Sequence, residues 1–451
     1  MIKLKINDVI KVEVKKIVSE GKGLAFFNQY TIFVNRGLIG DIVDVKINSK
    51  KKSRYFGNII SFHTKSSLRS SSQCLHFPTC GGCQYMDIDY TNQLKLKKDM
   101  YIDAIQQFSP ALESKLESII PCKSNIFYRN KMEFSFSSID NELLCGLKKR
   151  HSYDEVVKVN DCKLQDKQTM LIVDSVLQFM IDNDIYDSTS NKQNNFLKQI
   201  MVRHSKESNT FMLNLFITEN KTYFFKTFTT LLQNQFKNIM AIHLTLYSQQ
   251  LGSPTTQTIL CSEGDSHLVE SLDWLKCYIS PLSFFQTNSH QALVLYETIK
   301  EVANLNSTDT LLDLYCGTGT IGLFLSKFVK HVIGIEENEY AIEDAILNRK
   351  KNNISNIEFR CGRVKNILKF ETFDVDCIIV DPPRSGIVPK ALKRICDLKC
   401  KNLIYVSCHP VTLLRDLESF KENGYIVKRI IPVDMFPNTF HIESVVKLEL
   451  N

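Results

Sequence analysis

The sequence predicts an α/β protein in three parts: a small amino-terminal β-barrel, a central strand-rich region and a carboxyl-terminal doubly wound sheet. Three observations carry this expectation. Short apolar strands punctuated by glycine occupy the first part, further strands dominate the second, and from Leu311 strand and helix alternate. The chain has 451 residues, and at about 150 residues per domain its length also suggests three domains. The expected boundaries are 1–62, 63–275 and 276–451.

With 43% hydrophobic and 23% charged residues the composition is that of an ordinary globular protein, which argues against wholesale disorder, collagen-like repeats and a plain coiled coil. No run approaches the roughly 18–20 uncharged apolar residues of a membrane span. The first residues alternate Lys and Glu with Ile and Val, unlike a signal peptide. A cytoplasmic monomer with no membrane partner is expected.

The barrel strands are read at Val9–Val18, Leu24–Phe27, Thr31–Val34, Ile42–Ile47 and Gly57–Phe62, with Gly21, Gly23, Gly37 and Gly40 between them. This spacing suits an oligonucleotide-binding type of barrel. Formal net charge is 56 − 49 = +7, and its distribution is uneven. Between Val45 and Met86 there is no Asp or Glu, while Lys46, Lys50, Lys51, Lys52, Arg54, Lys65 and Arg69 equal the whole excess. Such a patch is what a phosphate backbone would seek, although a solvated loop would read the same way.

Next come Cys74, Cys80 and Cys83, a C-x5-C-x2-C spacing in which Gly81 and Gly82 allow a tight turn between thiolates. Soft sulfur ligands suit zinc or an iron–sulfur cluster. A fourth ligand is required. Cys162 is the candidate, Cys122 and Cys145 are rivals, and His76 would make a mixed zinc site. Most other cysteines, including Cys261, Cys361 and Cys377, read as small core residues.

A helical period runs from Tyr90 to Phe108, strands are expected at Lys131–Phe136, Ile200–His204, Thr210–Ile217 and Ala241–Tyr247, and Ser188–Asn195 reads as a polar loop. In the third part strands are expected at Leu311–Tyr315, His331–Glu336, Ile357–Arg360, Cys377–Asp381, Asn402–Ser407, Ile426–Val433 and Ser444–Leu450. Ligands of such sheets sit beyond the carboxyl ends of the strands.

The chemistry-bearing residues fall at those ends. Asp313-Leu-Tyr-Cys-Gly-Thr-Gly-Thr-Ile-Gly322 follows a strand, and Glu336 ends the next one, a pattern that cradles an adenosine-containing ligand on Gly317 and a ribose-binding carboxylate. NAD and S-adenosylmethionine both satisfy it. Asp313 favours the second, because an acid attracts a sulfonium or ammonium group and would repel a pyrophosphate. Cys408, in Tyr405-Val-Ser-Cys-His-Pro410, lies at a strand-to-helix turn where a helix dipole can lower a thiol pKa. Asp381-Pro-Pro-Arg-Ser-Gly386 is a stiff loop holding Asp381 and Arg384. Glu443 starts the last strand and could accept a proton, and Gln286 lies in Phe284-Phe-Gln-Thr-Asn288, an amide flanked by aromatics. Their plain alternatives are a surface carboxylate and a helix cap.

Taken together, the FFQxN, DLYCGTGTIGL, GIE, DPPRSG, YVSCxP and H-[VI]-E segments, in this order over nearly the whole chain, resemble the RNA uracil-5-methyltransferase family, bacterial ribosomal type, which carries an amino-terminal TRAM domain. The resemblance implies a class I, Rossmann-like methyltransferase sheet. It also implies contacts to S-adenosylmethionine from Gln286, Tyr315, Glu336 and Asp381, with Cys408 as nucleophile and Glu443 as base. Cys74, Cys80, Cys83 and Cys162 match the family's 4Fe-4S ligands, which selects Cys162 and iron. Tyr128-Arg-Asn-Lys131 resembles a segment that approaches RNA, while Arg363 stands where related enzymes commonly carry an acid near adenine. His409 occupies a variable position and receives no catalytic part. The expected reaction is C5 methylation of a uridine in 23S rRNA. The T-loop uridine of tRNA is the close alternative, disfavoured because the family's tRNA enzymes commonly lack the barrel and the cysteines. A non-catalytic RNA-binding protein and an NAD-dependent oxidoreductase are the other classes considered.

Overall fold

In the computed structural model, residues 3–139, 142–152, 154–186, 196–248 and 255–451 are described, and the expected loop at Ser188–Asn195 lies outside them. Strands β1 (Val9–Val18), β2 (Lys22–Phe27), β3 (Tyr30–Asn35), β4 (Ile42–Lys51) and β5 (Arg54–Thr64) form a closed barrel in the order β1-β2-β3-β5-β4. Alternate residues point inward, so Val12, Val14, Ala25, Ile32, Val43 and Val45 fill its core. Gly57 has no alternative there: a Cβ would stand 2.6 Å from the Lys46 carbonyl oxygen. Lys46, Lys50, Lys51, Lys52 and Arg54 are exposed on β4, β5 and the turn between them. Arg69 departs from that patch. Its guanidinium is buried and paired with Asp41 at 2.6 Å and Asp87 at 2.5 Å.

Helix α1 (Tyr90–Phe108) packs Tyr101, Ala104 and Ile105 into the carboxyl-terminal core rather than against the central sheet. Its Lys97 is buried with Asp434, Nζ to Oδ1 2.6 Å. The central sheet comprises β6 (Lys131–Ile139), β7 (Glu142–Lys148), β8 (Val156–Lys158), β9 (Leu197–Ser205), β10 (Thr210–Ile217), β11 (Ile239–Ser248) and β12 (Thr256–Gly264). They are ordered β12-β11-β10-β9-β6-β7-β8. Helices α2 (Lys167–Asp182) and α3 (Phe225–Gln235) cover its apolar face through Phe179 and Phe228.

The hairpin β13 (Leu268–Leu272) and β14 (Leu275–Ile279) spans the 275/276 position and shares a core with α4 (Ser289–Ala303). Then follow β15 (Thr310–Leu314), α5 (Thr320–Leu325), β16 (His331–Glu336), α6 (Glu339–Lys351), β17 (Ile357–Cys361) and α7 (Val364–Phe370). The chain finishes with β18 (Cys377–Val380), α8 (Pro389–Asp397), β19 (Asn402–Ser407), α9 (Pro410–Glu422), β20 (Tyr425–Val433) and β21 (Glu443–Leu450). The sheet order is β17-β16-β15-β18-β19-β21-β20. It is mixed rather than wholly parallel, since β21 runs antiparallel to both neighbours. The short return over 434–442 is the reason, because a parallel partner needs a crossover of about a dozen residues or more. The consequence is functional: the start of β21 lies beside the carboxyl end of β19, at the sheet edge where β15 and β18 also end. Among the described residues, no helix is long and apolar enough to cross a membrane.

Candidate active site

Beyond β15 the chain takes three left-handed residues, Tyr315 (φ 61), Gly317 (φ 55) and Gly319 (φ 72), which turn it sharply into α5. Inside the turn, Asp313 is fully buried, and its Oδ2 accepts the Gly322 amide at 2.9 Å. Its Oδ1 is buried without a hydrogen-bond partner. Glu336 accepts the Gly317 amide at 3.1 Å and the Asn338 amide at 2.9 Å, which fixes its carboxylate at the end of β16. Burial, then the nearby charge of Asp381, pushes the Asp313 carboxyl up to about 8. Burial alone pushes Asp381 up to about 7. Acids desolvated without a cation are costly, and a positively charged ligand at this edge would offset that cost.

Cys408, Glu443 and Arg384 converge beside these acids. Ser407 pairs with Ser444 across β19 and β21, so Cys408, the residue after β19, and Glu443, the first residue of β21, lie at the same end of the sheet. Burial, then the charges of Glu443 and Asp381, pushes the Cys408 thiol up to about 11, with Arg384 opposing. The expected lowering by a helix dipole is therefore absent in the free protein. A helix terminus supplies about 1–2 kcal/mol at best, and here desolvation and two acids outweigh it. Glu443 is buried and held well above the usual carboxylate range by desolvation first and Asp381 second, again opposed by Arg384. His409 caps α9, its Nδ1 accepting the Thr412 amide at 3.3 Å.

Gln286 lies half-buried between exposed Phe284 and the start of α4. It is Asn288, not Gln286, that caps this helix, accepting the Gln291 amide at 3.3 Å. Asn130, inside the Tyr128-Arg-Asn-Lys131 segment, holds the loop from the other side: its Nδ2 donates to the Gln286 carbonyl at 2.9 Å and to Ser289 Oγ at 2.7 Å. That role was not legible in the sequence, whose only signal was the segment itself.

A cleft of about 660 Å³ runs between the barrel, the cysteine loop and the central sheet, lined by Lys22, Arg36, Arg129, Lys131, Lys148 and Arg150 among others, with Glu20 and Glu133. It reaches Thr287 and Phe440, neighbours of Gln286 and His441. Beside it, Cys74, Cys80, Cys83 and Cys162 line one small cavity, of which Cys122 and Cys145 are not part. Cys122 instead sits under Asn288, whose Nδ2 lies 3.4 Å from its Sγ. His76 Nε2 accepts the Asn160 amide at 3.1 Å. Among the described residues, no group of three or more His, Cys, Asp and Glu side chains is spaced to hold a single metal ion. Arg150 braces the cysteine loop by donating to the carbonyls of Pro78 at 2.9 Å and Cys80 at 3.1 Å, and to that of Cys83.

A family model described as tRNA (Uracil-5-)-methyltransferase matches residues 276–451. An uncharacterized RNA methyltransferase of Caldanaerobacter subterraneus subsp. tengcongensis is 31% identical over 452 residues, covering 98% of this chain and 99% of its own. One from Bacteroides thetaiotaomicron is 32% identical over 454 residues, covering 96% and 100%. The chain belongs to the RNA uracil-5-methyltransferase family.

Among solved structures, the Pyrococcus abyssi tRNA (uracil-54, C5)-methyltransferase in complex with S-adenosyl-L-homocysteine resembles this uracil-5-methyltransferase family member with a TM-score of 0.76 and 25% identity, over 97% of this chain and 100% of that one. Coverage that complete takes in the barrel and the central sheet. The barrel and central sheet therefore do not by themselves distinguish this chain from that transfer-RNA enzyme.

Proposed function

We propose that this protein transfers a methyl group from S-adenosylmethionine to C5 of a uridine in RNA, with Cys408 as nucleophile and Glu443 as base. The observation that carries the reading is that Cys408, just after β19, and Glu443, at the start of β21, lie at the same sheet edge as Asp313 and Asp381, with the charges of Glu443 and Asp381 acting on the Cys408 thiol. Asp313, Tyr315, Gly317, Glu336, Asp381 and Gln286 hold the methyl donor. Its fit is supported by the unpartnered Asp313 Oδ1 and by open space above Gly317, where a Cβ would meet nothing within 4 Å. When bound, S-adenosylmethionine supplies an electrophilic methyl on a cationic sulfur.

Uracil C5 is a weak nucleophile. The Cys408 thiolate adds to C6, the ring π electrons move onto the C4 oxygen as an enolate, and C5 takes the methyl carbon as the sulfonium bond breaks. C5 then bears both methyl and hydrogen. Glu443 removes that proton, the C5–C6 double bond re-forms, and the bond from C6 to Cys408 breaks. A thiol at about 11 needs help to ionise near pH 7, of order 5 kcal/mol, and a cationic donor beside Asp381 together with Arg384 acts in that direction.

The substrate in this reading is 23S rRNA, with the target base turned out of its stack and the flanking strand held in the basic cleft beside a TRAM-like barrel. The whole-length likeness to a transfer-RNA uracil-54 enzyme favours the second reading, the T-loop uridine of tRNA. Cys74, Cys80, Cys83 and Cys162 surround one cavity and would hold a 4Fe-4S cluster that braces the fold, acting in a cytoplasmic monomer. Iron and sulfide analysis of anaerobically purified protein tests that cluster. The reaction is tested with RNA containing 5-fluorouridine, which lacks the proton Glu443 must remove. A stable protein–RNA adduct that disappears in Cys408→Ala supports the mechanism, and its absence from the wild type would remove it. Mass spectrometric mapping of methylated uridines in both RNAs from a deletion strain identifies the substrate.

A further inference from the structure

One buried carboxylate outside the expected site ties together three segments that meet at Cys408. Asp416 lies on α9 and is 2% exposed. Its Oδ2 accepts the Ile387 amide at 2.7 Å and the Tyr405 hydroxyl at 2.7 Å. Its Oδ1 accepts Arg415 Nε at 2.9 Å and Nη2 at 2.7 Å, while Arg415 Nη2 also donates to the Ser385 carbonyl at 2.9 Å. A further bond closes the assembly, from Thr412 Oγ1 to the Arg384 carbonyl at 3.1 Å.

The Asp381–Gly386 loop is thereby fastened to β19, the strand that leads into Cys408, and to α9, the helix that follows it. The fit is close. Gly386 takes φ +76, and a Cβ on it would stand 2.6 Å from Asp416 Oδ2. Asp416 also lies near enough to Tyr315 for its charge to act on that phenol. Two proline residues stiffen the loop, so fixing its far end at Ile387 sets the position of Asp381 and Arg384 as well.

We infer that Asp416 is a positioning residue, which sets the Asp381–Arg384 loop against Cys408 by bonding the Ile387 amide and the Tyr405 hydroxyl through one carboxylate. The inference rests on the proposed methyl transfer for its kinetic consequence but not for its geometry. Losing the tether lets Arg384 drift from Cys408, and a displacement of about 1 Å at a reacting centre costs on the order of 100-fold. RNA held in the cleft beside the barrel would not sense it.

The test uses the full chain carrying Asp416→Ala, Asp416→Asn and Asp416→Asn with Arg415→Gln. An asparagine oxygen can still serve Ile387 and Tyr405, but its NH2 then faces the donors of Arg415; glutamine at 415 supplies an acceptor and relieves that clash. In Asp416→Ala and Asp416→Asn, kcat is expected to fall about 10- to 100-fold with the KM for RNA unchanged, and the double variant recovers most of it. An independent measurement needs no RNA: iodoacetamide labelling of Cys408 against pH, read by peptide mass spectrometry. Its midpoint should move upward in the single variants, because Arg384 no longer favours the thiolate, and return in the double one. Unchanged kcat and an unmoved labelling midpoint in folded Asp416→Ala, or no recovery in the double variant, overturns the inference. Should the wild type itself form no Cys408 adduct with 5-fluorouridine RNA, the methyl-transfer reading fails instead, and the labelling midpoints still decide the role of Asp416.

Discussion

Cys408 directly follows β19 and Glu443 opens the antiparallel strand β21, each one residue beyond the Ser407–Ser444 pair, and the Glu443 charge acts on the Cys408 thiol. Two side chains near enough for one charge to act on the other can both serve one pyrimidine ring. Glu443→Gln preserves the shape and removes the base. It also removes one of the charges that hold the Cys408 thiol up, so addition to C6 is not hindered. Release should be blocked, and a covalent complex with natural uridine RNA should accumulate, while turnover drops by about 10²–10⁴. Denaturing gels with labelled RNA read both quantities, and normal turnover without an adduct would remove Glu443 from the mechanism.

The acids at the ends of β15 and β18 make donor binding pH-dependent. In the free protein Asp313 sits at about 8 and Asp381 at about 7, so near pH 6 both are largely protonated. A cationic ligand favours the ionised forms, and its binding must release protons. Affinity for S-adenosylmethionine should therefore strengthen from pH 6 to about 8 and then level, by up to about tenfold per pH unit for each proton released. Calorimetry in buffers of different ionisation enthalpy counts those protons. Asp313→Asn should flatten the upper part of the rise, and an affinity flat from pH 6 to 8 in the wild type would contradict the role given to these carboxylates.

Two glycines of the same turn should respond differently to alanine. Gly317 has φ +55 with open space where its Cβ would stand, and Gly319 has φ +72 with a Cβ only 2.8 Å from the Phe359 ring and 3.1 Å from Ala345. Gly317→Ala should cost about 1 kcal/mol of stability through its backbone angle, and weaken donor binding by occupying the cradle. Gly319→Ala carries a comparable backbone cost plus roughly 1–3 kcal/mol of overpacking. Denaturant unfolding and donor titration of the two variants separate these effects. Equal stability losses would show that the turn relaxes.

Strand and helix identity was largely legible, because it depends on local periodicity: β1 has the expected bounds Val9–Val18, and all seven strands of the last sheet fall where apolar runs announce them. What escaped depends on partners remote in the chain. The direction of β21 follows from the short 434–442 return and from which strand it meets. Arg69 reads as part of a basic patch until Asp41 and Asp87 are seen to neutralise it. Asn130 and Asp416 act by hydrogen bonds to distant backbone groups, which leave no period; a lone acid on the apolar face of α9 was the one trace of Asp416. The Cys408 turn was visible, but the burial that raises its thiol was not.

The Lys97–Asp434 pair joins α1 to the segment leading into β21. Both side chains are fully buried, Lys97 Nζ also donates to the Phe436 carbonyl at 3.1 Å, and Tyr90 donates to Asp434 Oδ2 at 2.8 Å. Lys97→Met leaves Asp434 charged and buried without its cation, which should cost about 3–5 kcal/mol. Adding Asp434→Asn removes the stranded charge and should restore part of the loss. Urea unfolding midpoints compare the two, and a double variant less stable than Lys97→Met would contradict this account.

RNA binding offers a test in which the sign of the effect differs between neighbouring residues. Lys148 is exposed on the cleft wall, whereas Glu20 and Glu133 line the same cleft with the opposite charge. A phosphate backbone held there displaces counterions from each cationic contact, so Lys148→Ala should weaken binding and reduce the slope of log affinity against log salt by about 0.7–1. Glu133→Gln removes a repulsion and also frees Lys131, its partner at 2.7 Å, so binding should tighten, most visibly at low salt. Neither residue is among the charges that act on Cys408, and kcat should stay constant while KM moves in opposite directions. Filter binding of target RNA across salt concentrations gives the slopes. If both variants leave affinity and slope unchanged, the strand runs elsewhere, and the exposed lysines of β4 become the next surface to test.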